Sequence, residues 1–507
     1  MMNDIYSKYE TVVGLEIHAE LITKQKMFCS CPNDPEGAET NTYICPICTG
    51  QPGAMPTINI GAVKQVIKVG LALHSQIAEY SKFDRKNYFY PDLPKSYQIS
   101  QYDMPLCLGG YLDLYLSNDL SPKRVAITRV HLEEDVAKLT HGQQNTLVDF
   151  NRAGVPLMEL VTEPTIRSGM EARLFCEGLQ ILYKTLGVSE ANMEKGQMRC
   201  EANISVRLKG EEKLGTKVEV KNLNSFRVLE KAIDYETRRQ IDLIEEGGQV
   251  VQETRGWLEN DNATISQRIK ENANDYRYFY EPDLPRMHVW SKEDKETLFD
   301  LDEVQKELPK FPWDKKTYFQ EAYKLNSQEA NLLIRDAHVA KYYESLTQSF
   351  KELQKGPLVL EKLNRLAYNY LASDLVGLAS LQGVEVSEEF IHQADYKNLI
   401  IALAEGKINS ASAKKILVII TDANNQDWKK EGLDGLLKEY TQNNDTEALA
   451  KIVAEVLAKN VKAVSEYKRG KTTAIQFLLG QTMAATHGKA NPEVLKKLLE
   501  QELAKAV

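Results

Sequence analysis

At 507 residues, 43% hydrophobic and 27% charged, the chain is long enough for several domains with apolar cores that need no disulfides. Its net charge of −9 argues against a globally basic nucleic-acid binder, yet residues 451–505 hold ten Lys/Arg against five Asp/Glu, so a basic tail follows an acidic front. No run of 18 or more apolar residues offers a membrane span, the opening Met1-Met-Asn-Asp-Ile-Tyr6 has neither a signal core nor transit character, and a cytoplasmic location is expected.

The first 294 residues are expected to form a mixed α/β domain. Thr11-Val-Val-Gly-Leu-Glu-Ile-His-Ala-Glu-Leu21 alternates strictly, with Val13, Leu15, Ile17, Ala19 and Leu21 on one side of a strand. Glu16, His18 and Glu20 fall on the other. Strands are predicted at Val12–Leu21, Val125–Leu132, Arg199–Leu208 and Lys217–Val220, and helices at Ile60–Leu73, Met170–Leu186 and Ser225–Glu246. Tyr88-Phe-Tyr-Pro-Asp-Leu-Pro94 is nearly echoed by Tyr278-Phe-Tyr-Glu-Pro-Asp-Leu-Pro285, a weak hint of internal duplication. Charged residues with Pro309 and Pro312 suggest a linker over Val289–Pro312. From Lys315 onward the chain is helix-forming, and Asn409 is placed to cap a helix. The expected division is 1–294, 295–395 and a helical tail over 396–507.

Chemistry-bearing residues recur on the strands. Ile127-Thr-Arg-Val-His-Leu-Glu-Glu-Asp135 sets Arg129, His131, Glu133 and Asp135 on one face and Glu134 opposite. Glu159 sits in an apolar run, Arg199, Glu201, Asn203, Ser205 and Arg207 alternate along a strand, and Lys217, Glu219 and Lys221 share a side. On one sheet these would crowd a single face with acids and bases. Like charges repel and raise one another's pKa unless a cation sits among them. Carboxylate oxygens with an imidazole suit Mg²⁺ or Mn²⁺, and interleaved bases suit phosphates. Arg85 and Lys86 are phosphate candidates, and Tyr88 and Tyr90 are candidates for stacking on a base.

Cys29-x-Cys31 and Cys45-x-x-Cys48, thirteen residues apart, have the spacing of a closed, structural Cys₄ zinc site. Cys107, Cys176 and Cys200 lie apart and are expected to pack in cores. Ser465-Glu-Tyr-Lys-Arg-Gly-Lys-Thr472 imitates a phosphate-binding loop, but Ser465 replaces its first glycine and no strand precedes it.

Val13-Gly-Leu-Glu-Ile-His18, Lys82-Phe-Asp-Arg-Lys-Asn-Tyr-Phe-Tyr-Pro-Asp92, Gln98-Ile-Ser-Gln101, His131-Leu-Glu-Glu-Asp135, Asn151-Arg-Ala-Gly-Val-Pro156, Met198-Arg-Cys-Glu-Ala-Asn-Ile-Ser205 and Lys221-Asn-Leu-Asn-Ser-Phe226 resemble the GatB family, the second component of the tRNA-dependent amidotransferase GatCAB. The similarity runs on through Phe477-Leu-Leu-Gly-Gln481 and Gly488-Lys-Ala-Asn-Pro492. The resemblance implies an α+β fold: a glutamine-synthetase-like mixed-sheet cradle, a helical domain and a small YqeY-like helical tail. It implies ATP-dependent correction of misacylated tRNA, in which the side-chain carboxylate of Glu or Asp is phosphorylated and then amidated. By motif it implies Mg²⁺ ligands at Glu16, His18, Glu133, Glu134, Glu159 and Glu219, with Glu201 acting at the same site. Arg85, Lys86 and Tyr88 would hold ATP or substrate, and Lys468, Arg469 and Lys471 would contact tRNA. Ammonia would come from a glutaminase A subunit, and a small C subunit would hold both together. Glu201 and Thr165 stand where relatives usually carry Asp, which moves the Glu201 carboxylate by about one bond length. One alternative is a non-catalytic tRNA-binding scaffold, against which the acid-rich strand faces argue. Another is a zinc-dependent hydrolase.

Overall fold

The computed structural model describes residues 5–114, 122–269, 276–353, 357–423, 425, 427–441, 446–468, 473–486, 490 and 492–505. Contacts divide the chain into two compact units, Met1–Asp314 and Lys315–Val507.

The first unit is built on a ten-stranded sheet. Its strands are β1 (Tyr9–Glu20), β2 (Gln76–Ile77), β3 (Cys107–Leu108), β4 (Tyr111–Leu114), β5 (Lys123–Glu134), β6 (Pro156–Thr162), β7 (Met198–Leu208), β8 (Val218–Leu223), β9 (Glu253–Leu258) and β10 (Ala263–Ile269). They lie in the order β10-β9-β8-β7-β1-β6-β5-β3-β2, and β4 also pairs with β5. The sheet is mixed: β8 and β9 are parallel, while β1, β5, β6 and β7 pair antiparallel with their neighbours. β1 is central because its alternation supplies a fully apolar back face. Val13, Leu15, Ile17 and Ala19 are buried there.

Three helices belong to the same core: α1 (Ile60–Ala72), α2 (Gly169–Leu186) and α3 (Phe226–Glu245). Each starts at a side-chain cap, Asn59, Ser168 or Ser225, whose oxygen accepts from a backbone N–H of the first turn. α2 stops at Gly187, whose φ of 65° is the left-handed conformation that glycine adopts without strain. The predicted helices match these three closely, and the predicted strands fall on β1, β5, β7 and β8 with ends shifted by a few residues.

The stretch expected to be a linker is ordered onto the first unit instead. Val289 and Val304 are buried in its apolar core, a short helix runs over Leu301–Lys306, and Glu307 pairs with Lys64 and Lys68 on α1. Burial of the two valines outweighs the charges that suggested solvent exposure.

Among the described residues the regular elements of the second unit are helices joined by turns, ending with the one at Pro492–Lys505. One apolar core gathers buried residues between Phe319 and Leu433, and another those between Leu449 and Leu503. Asn409 caps the helix Ser410–Thr421 as expected, accepting from the Ser412 N–H. Among the described residues no helix is long and apolar enough to cross a membrane.

Candidate active site

Sheet register assembles the site. Side chains directly opposite on neighbouring strands share a face, about 5 Å apart. Arg199 on β7 lies opposite His18 on β1, His18 opposite Glu159 on β6, and Glu159 opposite His131 on β5. One step along, Glu201 faces Glu16; further on, Asn203 faces Glu219, and Glu219 faces Thr254. Residues far apart in sequence therefore stand side by side on the polar face of one sheet. That face forms the floor of a cleft of about 1400 Å³.

Two clusters of acids occupy it. In the first, His18 Nε2 lies 3.4 Å from Glu159 and 3.6 Å from Glu133, and His131 Nε2 lies 3.4 Å from the same Glu159 oxygen. The Ser100 hydroxyl donates to Glu133 at 3.1 Å. In the second, donor oxygens of Glu16, Glu201 and Glu219 lie within 4.8 Å of one another, as do the donor atoms of His18, Glu133 and Glu159. Asn203 donates to Glu16 at 2.9 Å, Thr254 to Glu219 at 2.8 Å, and the Lys221 ammonium pairs with Glu201 at 2.9 Å.

Electrostatics couple the groups. Burial works against a charge on His18, but the hydrogen bond and charge of Glu159, with Glu133 and Glu201, outweigh it and hold the imidazole at about 9. Burial would likewise raise Glu159, but His131 and His18 keep its carboxyl well below the usual range. Lys86 reaches the same cleft. Its buried ammonium stays protonated well above the ordinary lysine value because Glu133 and Glu159 oppose the cost of desolvation.

Glu16, His18, Glu133, Glu159, Glu201, Glu219, Lys86 and Tyr88 thus line one cleft. Two expected residues do not. Glu134 follows Glu133 on a strand and so points to the opposite side, where it pairs with Lys95 at 2.6 Å and accepts from the Ile99 N–H at 2.9 Å. Arg85, one residue before Lys86, turns away for the same reason. It makes two 2.8 Å bonds to fully buried Glu281 and lies over the Tyr97 ring. Arg469 and Lys471 lie outside the described residues, as does the side chain of Lys468.

Sequence reasoning missed Tyr276, Arg277 and Tyr278, which also line the cleft. The echoed Tyr-Phe-Tyr segments held the clue. The strand Phe279–Tyr280 pairs with Asp84–Asn87, which brings Tyr278 to the side where Tyr88 lies, stacked on Tyr102 at 4.3 Å.

The four cysteines of the box also converge, with Sγ atoms within 4.8 Å of one another. Cys45 and Cys48 are 3.8 Å apart at sulfur. Bonding from Cys29, aided by the Cys45 backbone and the Lys26 charge, draws the Cys48 thiol down to about 5 against the opposing effect of burial. Cys107, Cys176 and Cys200 are buried elsewhere, the last two 3.6 Å apart at sulfur.

Residues 11–294 match the family model described as the GatB/GatE catalytic domain, and residues 358–503 match the GatB domain. A protein of Thermomicrobium roseum, named as the B subunit of aspartyl/glutamyl-tRNA(Asn/Gln) amidotransferase, is 45% identical over 504 residues, covering 99% of this chain and all of the relative. Proteins of the same name from Carboxydothermus hydrogenoformans and Persephonella marina are 42% and 41% identical, each over 98% of this chain and 99% and 100% of the relative. With its whole front part matching the family's catalytic domain and its length matched end to end by such relatives, the chain belongs to the GatB/GatE family.

Proposed function

We propose that this chain is the GatB component of an ATP-dependent amidotransferase that converts Glu-tRNA(Gln), Asp-tRNA(Asn) or both to the amidated forms. The observation that carries this is the pairing of two acid clusters with Lys86 and Lys221 in one cleft. A fold of the glutamine-synthetase kind is the reading that suits such a cradle. The donor set fits hard divalent cations: carboxylate oxygens with one imidazole, too close together to stay ionised without positive charge among them. His18, Glu133 and Glu159 would hold one Mg²⁺, and Glu16, Glu201 and Glu219 another. Bound there, Mg²⁺ supplies charge neutralisation at the phosphates of ATP.

The chain's own groups do the rest. Lys86 and Lys221 hold phosphate oxygens, and Tyr88 and Tyr278 wall the cleft around the aminoacyl end. A carboxylate oxygen of the substrate attacks the γ-phosphorus, and ADP departs with the electrons of the broken P–O bond. Ammonia then attacks the acyl carbon, inorganic phosphate leaves, and the proton lost from nitrogen passes to a cleft carboxylate. Ammonia would be delivered from a glutaminase A subunit, which a small C subunit would hold in place. The relatives' own names, which make each one component of a larger enzyme, support an assembly of several chains.

A structural Zn²⁺ fits the cysteine box. Tetrahedral Zn–S bonds of about 2.3 Å place sulfurs roughly 3.8 Å apart, and Cys45 and Cys48 stand at 3.8 Å. Substituting Glu133→Gln tests the catalytic reading. We expect amidation to fall at least about a hundredfold, in line with the loss of a group that holds a catalytic metal, with tRNA binding intact. Unchanged turnover would leave the chain a scaffold.

A further inference from the structure

One buried charge is not accounted for by the cleft. Lys26 is only 1% exposed, and among the described residues no carboxylate lies within ion-pairing distance of it. Its ammonium donates to the Tyr43 carbonyl at 2.8 Å and the Phe150 carbonyl at 3.3 Å, and stands 3.9 Å from the sulfur of Cys48. An ammonium has three protons and no acceptor capacity, so two go to carbonyls and the third is directed at sulfur. Burying a lone lysine is unfavourable unless a negative charge lies beside it. Four thiolates on one Zn²⁺ leave a net charge of about −2, which must also be offset when it is buried.

The surroundings hold Lys26 in place. Met27 N–H donates to the Gly154 carbonyl at 2.7 Å, Tyr43 N–H donates to the Asn151 side chain at 2.9 Å, and the Asn151 amide donates to the Glu39 backbone carbonyl at 2.8 Å. Gly154, with φ of 83°, lets its backbone press on Cys48: an added Cβ would stand 3.3 Å from that of Cys48. The lysine is therefore wedged between the cysteine loops and the 149–154 loop.

We propose that Lys26 is a positioning residue for the zinc site, acting as counter-charge and N–H···S donor to the Cys48 thiolate. This rests on the zinc reading above, and the experiment separates the two. Full-length wild type, Lys26→Met and Lys26→Arg are stripped of metal and titrated with zinc against a chromophoric chelator, and then with Co²⁺. Wild type should bind one zinc tightly; if it binds none, the zinc reading itself fails. Lys26→Met should bind about 10–100-fold more weakly, the usual loss when a group supporting a metal ligand is removed. Its sulfur-to-cobalt absorption should move to longer wavelength, because a thiolate freed of its N–H donor gives up electrons more readily. Lys26→Arg, keeping charge and donors, should recover most of both. Wild-type affinity and spectrum in Lys26→Met would overturn the assignment, as would equal losses in Met and Arg variants, which would mark a packing effect. Should Lys26→Met not fold even in excess zinc, Lys26→Gln takes its place under the same criteria.

Discussion

Glu133 and Glu134 are neighbours on β5, yet their carboxylates lie on opposite faces of the strand and keep different company. Glu133 faces His18 and Ser100 in the cleft, while Glu134 bridges Lys95 and the Ile99 N–H with 3% exposure. Glu134→Gln should therefore cost stability, about 3 kcal/mol for breaking a buried ion pair, and leave Mg²⁺ affinity unchanged. Denaturant melts and metal titration check this together. His18 sets a pH dependence. Its raised folded value means that the imidazolium bridging Glu133 and Glu159 stabilises the metal-free fold fully below about pH 6.5, and that this is lost as pH rises through about 9. Mg²⁺ binding runs the other way, since a ligating imidazole must be neutral. Affinity should rise about tenfold per pH unit up to about 9 and then level, read by calorimetric titration.

At the scale of elements, alternation made β1, β5, β7 and β8 legible, and with them the polar face that carries Glu16, His18, Glu133, Glu201 and Glu219. Period two tells which residues share a face but not which strands are neighbours. The row from Arg199 through His18 and Glu159 to His131 exists only because β6 and β7 flank β1 and β5 flanks β6. Arg85 turns away because it neighbours Lys86 on the strand Asp84–Asn87, but its partner Glu281, 196 residues away, is beyond the reach of any local pattern. Tyr278 enters the cleft through a two-residue strand too short to announce itself by pattern. Helix packing offers a sharper test. Gly169 opens α2 against α3, and a Cβ there would stand 2.4 Å from the Glu230 carbonyl and 2.8 Å from the Asp234 carboxylate. Backbone cannot yield as a flexible side chain can, so Gly169→Ala should destabilise the first unit by about 1–3 kcal/mol. A melt identical to wild type would show that the two helices separate freely.

For the whole molecule, acidity and basicity are divided along the chain: acids converge in the cleft of the first unit, and residues 451–505 carry the +5 excess. We propose that this tail, including Lys468, Arg469 and Lys471, captures tRNA. Truncation after Asn443 should weaken tRNA binding and spare tRNA-independent ATP hydrolysis; unchanged affinity would place the contact elsewhere. The most direct measurement is ATP hydrolysis by the chain assembled with the A and C subunits proposed above, with and without Glu-tRNA(Gln) or Asp-tRNA(Asn). A kinase cleft predicts Mg²⁺-dependent hydrolysis that rises with misacylated tRNA and is abolished by Glu133→Gln. Hydrolysis indifferent to both charged tRNAs and to Glu133→Gln, in a complex that still binds tRNA, would contradict it.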